Sequence, residues 1–132
     1  MTEEEIQKYL AILKDQSYEM IIRKTRDNLK NLVTQDMLFK TDDDMKELIR
    51  SLQVSDFDFN KPKNPEPDDR PNQTGEMWFF RTKAWDESFY IKIKVVERER
   101  KIIVFSCHIN NIEYRPDYQE YVDKVLFAYY KL

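Results

Sequence analysis

Tyr90, Lys92 and Lys94 alternate through one stretch of the chain, and the single histidine, His108, lies a strand's length further on. Arg81 and Lys83 precede them by a similar interval. Ribonucleases that use the RNA's own 2′-hydroxyl as nucleophile need few parts. One group accepts a proton, another donates one, and a cation steadies the charged phosphorane. Tyrosine, histidine, lysine and arginine on adjacent strands can supply these without a metal. Spacing alone favours a plainer reading, in which alternating lysines form the solvated face of a sheet with protected edges.

Other chemistries are poorly served. The only glycine, Gly75, rules out a glycine-rich phosphate loop. One Cys and one His make a zinc site an unattractive reading, so neither metal nor cofactor is expected. Cys107 and His108 are adjacent, but neighbouring strand residues point to opposite faces, which spoils a Cys–His dyad.

The strands that would position these residues are Glu76–Thr82, Ser88–Val96 and Lys101–His108. In the middle one Phe89, Ile91, Ile93 and Val95 alternate with Tyr90, Lys92 and Lys94, which gives a core face and a cationic face. In the last strand, Ile103, Phe105 and Cys107 are assigned inward, and Val104, Ser106 and His108 outward. Pairing Ile93 with Phe105 sets Tyr90 opposite His108 and requires a three-residue loop at 98–100 without glycine.

Helices come first along the chain. Thr2 and Glu5 form a capping box for a helix from Glu3 to Lys14, with Ile6, Tyr9, Leu10 and Leu13 on one stripe. Residues 18–24 read as an edge strand or extended linker. Thr25 is a candidate cap for a second helix bearing Leu29, Leu32 and Val33. Thr41 before Asp42, Asp43 and Asp44 is a strong start for a third, with Met45, Leu48, Ile49 and Leu52 on its stripe. Residues 60–75 hold four of the five prolines and form a loop, either functional or mobile, with mobility expected in the free protein. A final helix, 116–131, carries Tyr118, Tyr121, Val122, Val125 and Tyr129 and is expected to pack on the domain's own sheet. The predicted architecture is one α+β domain over 1–132: a mainly helical part (1–59), the loop, a small antiparallel sheet (76–110) and the tail helix.

Composition bounds the function. A chain of 132 residues with 41% hydrophobic and 14% aromatic residues can bury a core despite 36% charge. Its net charge of −3 gives no overall basic field for a polyanion, so any nucleic-acid site must be local. No stretch approaches the roughly 20 apolar residues of a membrane span. The acidic opening, Met1-Thr2-Glu3-Glu4-Glu5, is unlike a signal peptide, and one cysteine cannot form an internal disulfide. The expectation is a cytoplasmic protein with no membrane partner, in which the sequon Asn72-Gln73-Thr74 is accidental.

Four segments in order carry a family resemblance: "ELIRSLQVSDFDF", "GEMWFF", "FYIKIKVV" and "IIVFSCHIN". Over about Arg26 to Asn110 the chain resembles toxins of the motility quorum-sensing regulator family (MqsR-like), within the wider RelE-type ribonuclease fold. That resemblance implies a twisted antiparallel sheet backed by helices, cleavage of messenger RNA, and neutralisation by a cognate antitoxin protein. It maps catalytic roles onto Tyr90, Lys92 and His108 and a substrate-binding lysine onto Lys61, while Lys94 and Arg81 are substrate-binding candidates from the residue pattern itself. The chain departs from the family in having Cys107 where an aromatic follows the serine, a long proline-rich loop and an extra C-terminal helix. The competing expectation is a non-enzymatic protein-interaction module on the same scaffold.

Overall fold

The computed structural model describes residues 1–130. Helix α1 (Glu3–Leu13) starts at the expected capping box, the Glu5 amide donating to Thr2 Oγ1 at 3.2 Å. It buries Ile6, Tyr9, Leu10 and Leu13, as their spacing predicts. Strand β1 (Glu19–Ile22) follows at the sheet edge. A 3₁₀ turn over Arg26–Asn28 leads into α2 (Leu29–Leu38), so the second helix starts later than Thr25 suggests. Helix α3 (Asp42–Arg50) is capped by Thr41, whose own amide donates to Asp44 Oδ2 at 2.8 Å.

Strands β2 (Glu66–Pro67), β3 (Glu76–Ala84), β4 (Glu87–Val96) and β5 (Lys101–Ile109) complete a five-stranded sheet in the order β1-β5-β4-β3-β2. The class is α+β, but the sheet is mixed rather than antiparallel, because β1 runs parallel to β5. Parallel neighbours need a long crossover, and here every element between β1 and β5 supplies it. The β3–β4 hairpin turns on Trp85 and Asp86, both at positive φ. The β4–β5 connection spans four residues, 97–100, and Arg100 itself takes the left-handed conformation.

Tyr90 faces His108, as the expected register requires, but Ile93 faces Val104 rather than Phe105. A β-bulge between the Lys92 and Ile93 pairings gives β5 one extra residue. The face assignment therefore changes along β5. Ile102, Val104, Cys107 and Ile109 join the main core with α1, α2 and α3. Ile103 and Phe105 turn to the opposite face and pack with Met77, Phe79 and Tyr90. Strict alternation misassigned Ile103, Val104 and Phe105, since alternation fails across a bulge.

Residues 60–75, expected to be mobile, are tied to the sheet by side-chain hydrogen bonds. The Asn64 side chain donates to the carbonyls of Asp58 (3.0 Å) and Phe79 (2.8 Å) and accepts from the Phe79 amide (3.0 Å). Asp68 is buried and accepts from Lys94 Nζ at 2.7 Å and from Arg70. Gly75 has φ +92°, and a Cβ there would lie 3.2 Å from Lys94 Cε, so this one glycine serves both the turn and the close approach.

Helix α4 (Tyr118–Tyr130) buries Val122 and Val125, but packs against α2 rather than across the sheet. Lys124 pairs with Asp36 of α2 at 3.1 Å. The predicted end of this helix at Lys131 lies outside the described residues. Among the described residues no helix is long and apolar enough to cross a membrane.

Candidate functional site

Arg81, Tyr90 and His108 stand in one row across three strands, Arg81 opposite Tyr90 and Tyr90 opposite His108. Residues paired across adjacent strands share a face, so the row collects three chemically useful side chains on the face away from α1 and α3. The Tyr90 and His108 rings have centroids 5.4 Å apart, and the Arg81 guanidinium lies 5.5 Å from the Tyr90 centroid.

The backbone that holds His108 is itself tied to α2. Asn31 accepts from the Cys107 amide and Thr34 Oγ1 accepts from the Ile109 amide, so both neighbours of His108 are fixed. His108 is 9% exposed. Its Nδ1 lies 2.9 Å from the Ile109 carbonyl oxygen. A carbonyl only accepts, so Nδ1 carries a proton and the neutral ring keeps its lone pair on Nε2. Burial pushes the His108 pKa below its usual value, with Lys30 acting in the same direction. The ring is thus built to be neutral and proton-accepting near pH 7. Burial pushes the Tyr90 phenol upward, so it retains its proton.

Arg81 is held in place from both sides. Its Nε donates to Asp58 Oδ2 at 3.0 Å and another guanidinium nitrogen donates to Asn110 Oδ1 at 2.9 Å. Tyr90, His108 and Arg81 line a groove of about 560 Å³ with Arg26, Lys30 and Glu113. A second hollow of about 350 Å³, lined by Asp58, Asn60 and Lys61, shares Arg81 and Tyr90 with it.

The other sequence candidates separate. Lys92 is one row from Tyr90, opposite Phe79 and Ser106, with Nζ 5.7 Å from the Phe79 centroid. Lys61 lines the second hollow, pairs with Glu66 at 3.3 Å and lies 4.2 Å from the Phe79 centroid. Lys94 does not reach it. Its side chain is 7% exposed and committed to Asp68. Cys107 points into the core near Met45, its thiol pushed up to about 12 by burial, so it forms no dyad with His108.

Arg26, Lys30, Glu113 and Asn110 went unrecognised in the sequence. Lys30 pairs with Glu113 at 3.0 Å beside His108. Neither residue carries a local signal for this role, since their meeting depends on how α2 docks on β5.

No family model, curated protein or solved structure matches this chain. The site is therefore argued from its own geometry. It offers a lone pair on Nε2, a phenol that holds its proton, and a fixed guanidinium in one groove. Among the described residues no cluster of three or more metal-ligating side chains occurs.

Proposed function

We propose that this chain is a metal-independent endoribonuclease that cleaves messenger RNA, acting as an MqsR-like toxin of the RelE type that a cognate antitoxin protein neutralises. The observation that carries the reading is the Arg81–Tyr90–His108 row lining one groove. His108 Nε2 takes the proton from a ribose 2′-hydroxyl as its oxygen attacks the adjacent phosphorus. Arg81 steadies the extra charge of the phosphorane. The bond from phosphorus to the 5′-oxygen then breaks, and that oxygen takes the Tyr90 proton. The products are a 2′,3′-cyclic phosphate and a 5′-hydroxyl. The phenolate recovers its proton from the imidazolium or solvent. In this scheme Lys92 binds substrate rather than reacting with it, and Lys94 supports the fold.

The test is direct. Purified protein incubated with RNA and EDTA is expected to leave cyclic-phosphate ends, and its induced expression to arrest growth. Protein that does neither overturns the reading.

One observation favours a protein-interaction module instead. Tyr114 and Phe127 are 81% and 71% exposed, and Tyr129 is also largely exposed. If that reading holds, Phe127→Ser abolishes capture of a partner while His108→Ala changes nothing. Under the ribonuclease reading His108→Ala abolishes growth arrest.

A further inference from the structure

Three cations from separate segments converge on Phe105. Arg70 from the proline-rich loop lies 4.8 Å from its ring centroid, Arg23 just beyond β1 lies 5.1 Å away, and Lys92 of β4 lies 5.9 Å away. The bulge turned this ring to the open face. Each cation gains from the ring's negative face, but a ring neutralises no charge.

The ion pairing around it is uneven. Lys30, Lys61, Arg81 and Lys94 on the same side of the sheet each have a carboxylate within salt-bridge distance. Asp68 serves both Lys94 and Arg70. Among the described residues Arg23 and Lys92 have no carboxylate partner, and they meet at one ring. Arg70 shares Asp68 with Lys94, so the three cations around Phe105 carry more positive charge than the one carboxylate beside them offsets. This excess suits an anion.

We propose that Arg23, Arg70 and Lys92 form a phosphate subsite for a single-stranded RNA, next to the Arg81–Tyr90–His108 row. Lys92 and Tyr90 are two residues apart on one face, roughly 7 Å along the strand. With one phosphate at the row, the neighbouring phosphate of an extended strand falls at this cluster. The assignment to RNA rests on the ribonuclease reading, while the anion site itself rests on the charge pattern. Stacked on Phe105, the cations are held in position before the ligand arrives, which lowers the ordering cost of binding.

A 2′-O-methyl oligoribonucleotide, which lacks the nucleophile, serves as the probe. Its affinity is measured by fluorescence anisotropy across a salt series, with melting curves to check folding. Arg23→Gln and Lys92→Gln are each expected to weaken binding and to reduce the slope of log affinity against log salt by about 0.7. Arg23→Lys, which keeps the charge, retains the slope. Lys8→Gln, on α1, leaves affinity unchanged. Full affinity in folded Arg23→Gln and Lys92→Gln proteins overturns the subsite, as does an equal loss from Lys8→Gln, which means a diffuse field. Wild-type protein that shows the expected binding pattern but cleaves no RNA keeps the anion subsite and overturns the ribonuclease reading.

Discussion

The Asn31 side chain accepts a hydrogen bond from the Cys107 backbone amide at 2.8 Å, while its own amide donates to the Phe105 carbonyl at 3.1 Å. One buried side chain of α2 thus satisfies both sides of the β5 bulge, at the edge that β1 is too short to cover. Removing it leaves the Cys107 N–H buried without a partner, whereas the Phe105 carbonyl still accepts from Asn28. Asn31→Leu is therefore expected to cost about 1–3 kcal/mol in denaturant unfolding. Asn31→Asp keeps the acceptor for Cys107 and is expected to retain that bond while losing the two donors. Equal stability of Asn31→Leu and the parent means the bulge is held by other contacts.

That interaction marks where sequence reading stops. The capping box at Thr2, the helix start at Thr41 and the alternation of β4 are local, and they form as predicted. Tyr90 faces His108 as expected, but only because the bulge offsets a 97–100 connection one residue longer than the expected 98–100 loop. The bulge was not legible, since it depends on Asn31, 76 residues from Cys107 in sequence. The burial of Lys94 was hidden for the same reason: its partner Asp68 sits in a segment whose prolines suggest a free loop. Long-range polar pairing leaves no periodic trace in a sequence.

The 60–75 segment is expected to resist limited proteolysis in the intact protein. Lys94→Met removes one of the two cations paired with Asp68 while Arg70 remains, and is expected to loosen the segment. Cleavage at Lys63 or Arg70 should then appear in the variant. Ready cleavage of the parent at these sites means that the anchoring is weak.

Acid should release the same segment. Hydrogen bonds from Arg70, followed by those from Lys94, hold the Asp68 carboxyl well below the usual carboxylate range. A depressed folded-state value means stability present above the unfolded value of about 3.9 and lost as pH falls below it. Proteolysis by an acid protease at about pH 3 is expected to cut the loop sooner in Asp68→Asn than in the parent, and at neutral pH the variant already lacks this stabilisation. Matching pH dependence of the two proteins counts against Asp68 as the anchor.

The tail helix should contribute to stability through α2. Burying a valine is worth about 1.5–3 kcal/mol relative to exposing it, and Val122 and Val125 are both buried. Removing residues 116–132 is expected to lower Tm and expose the apolar side of α2. An unchanged Tm with loss of a bound partner means the helix acts as an interface.

His108 provides the sharpest measurement, because it is the chain's only histidine and gives a single imidazole titration by NMR. Burial and Lys30 both lower its pKa, so its midpoint is expected below the reference of about 6.5. If the neutral ring accepts the 2′-hydroxyl proton, RNA cleavage falls as pH drops through that same midpoint and is level above it until Tyr90 loses its proton. Lys30→Gln removes a nearby positive charge and frees the Glu113 carboxylate, and both changes favour the protonated ring. The NMR midpoint and the acid limb of the rate profile are then expected to move upward together. His108→Ala should lose roughly 10²–10⁴-fold in rate with its fold intact. An acid limb that stays fixed while the His108 midpoint moves assigns the proton acceptor to another group, and a fully active His108→Ala protein removes His108 from the chemistry.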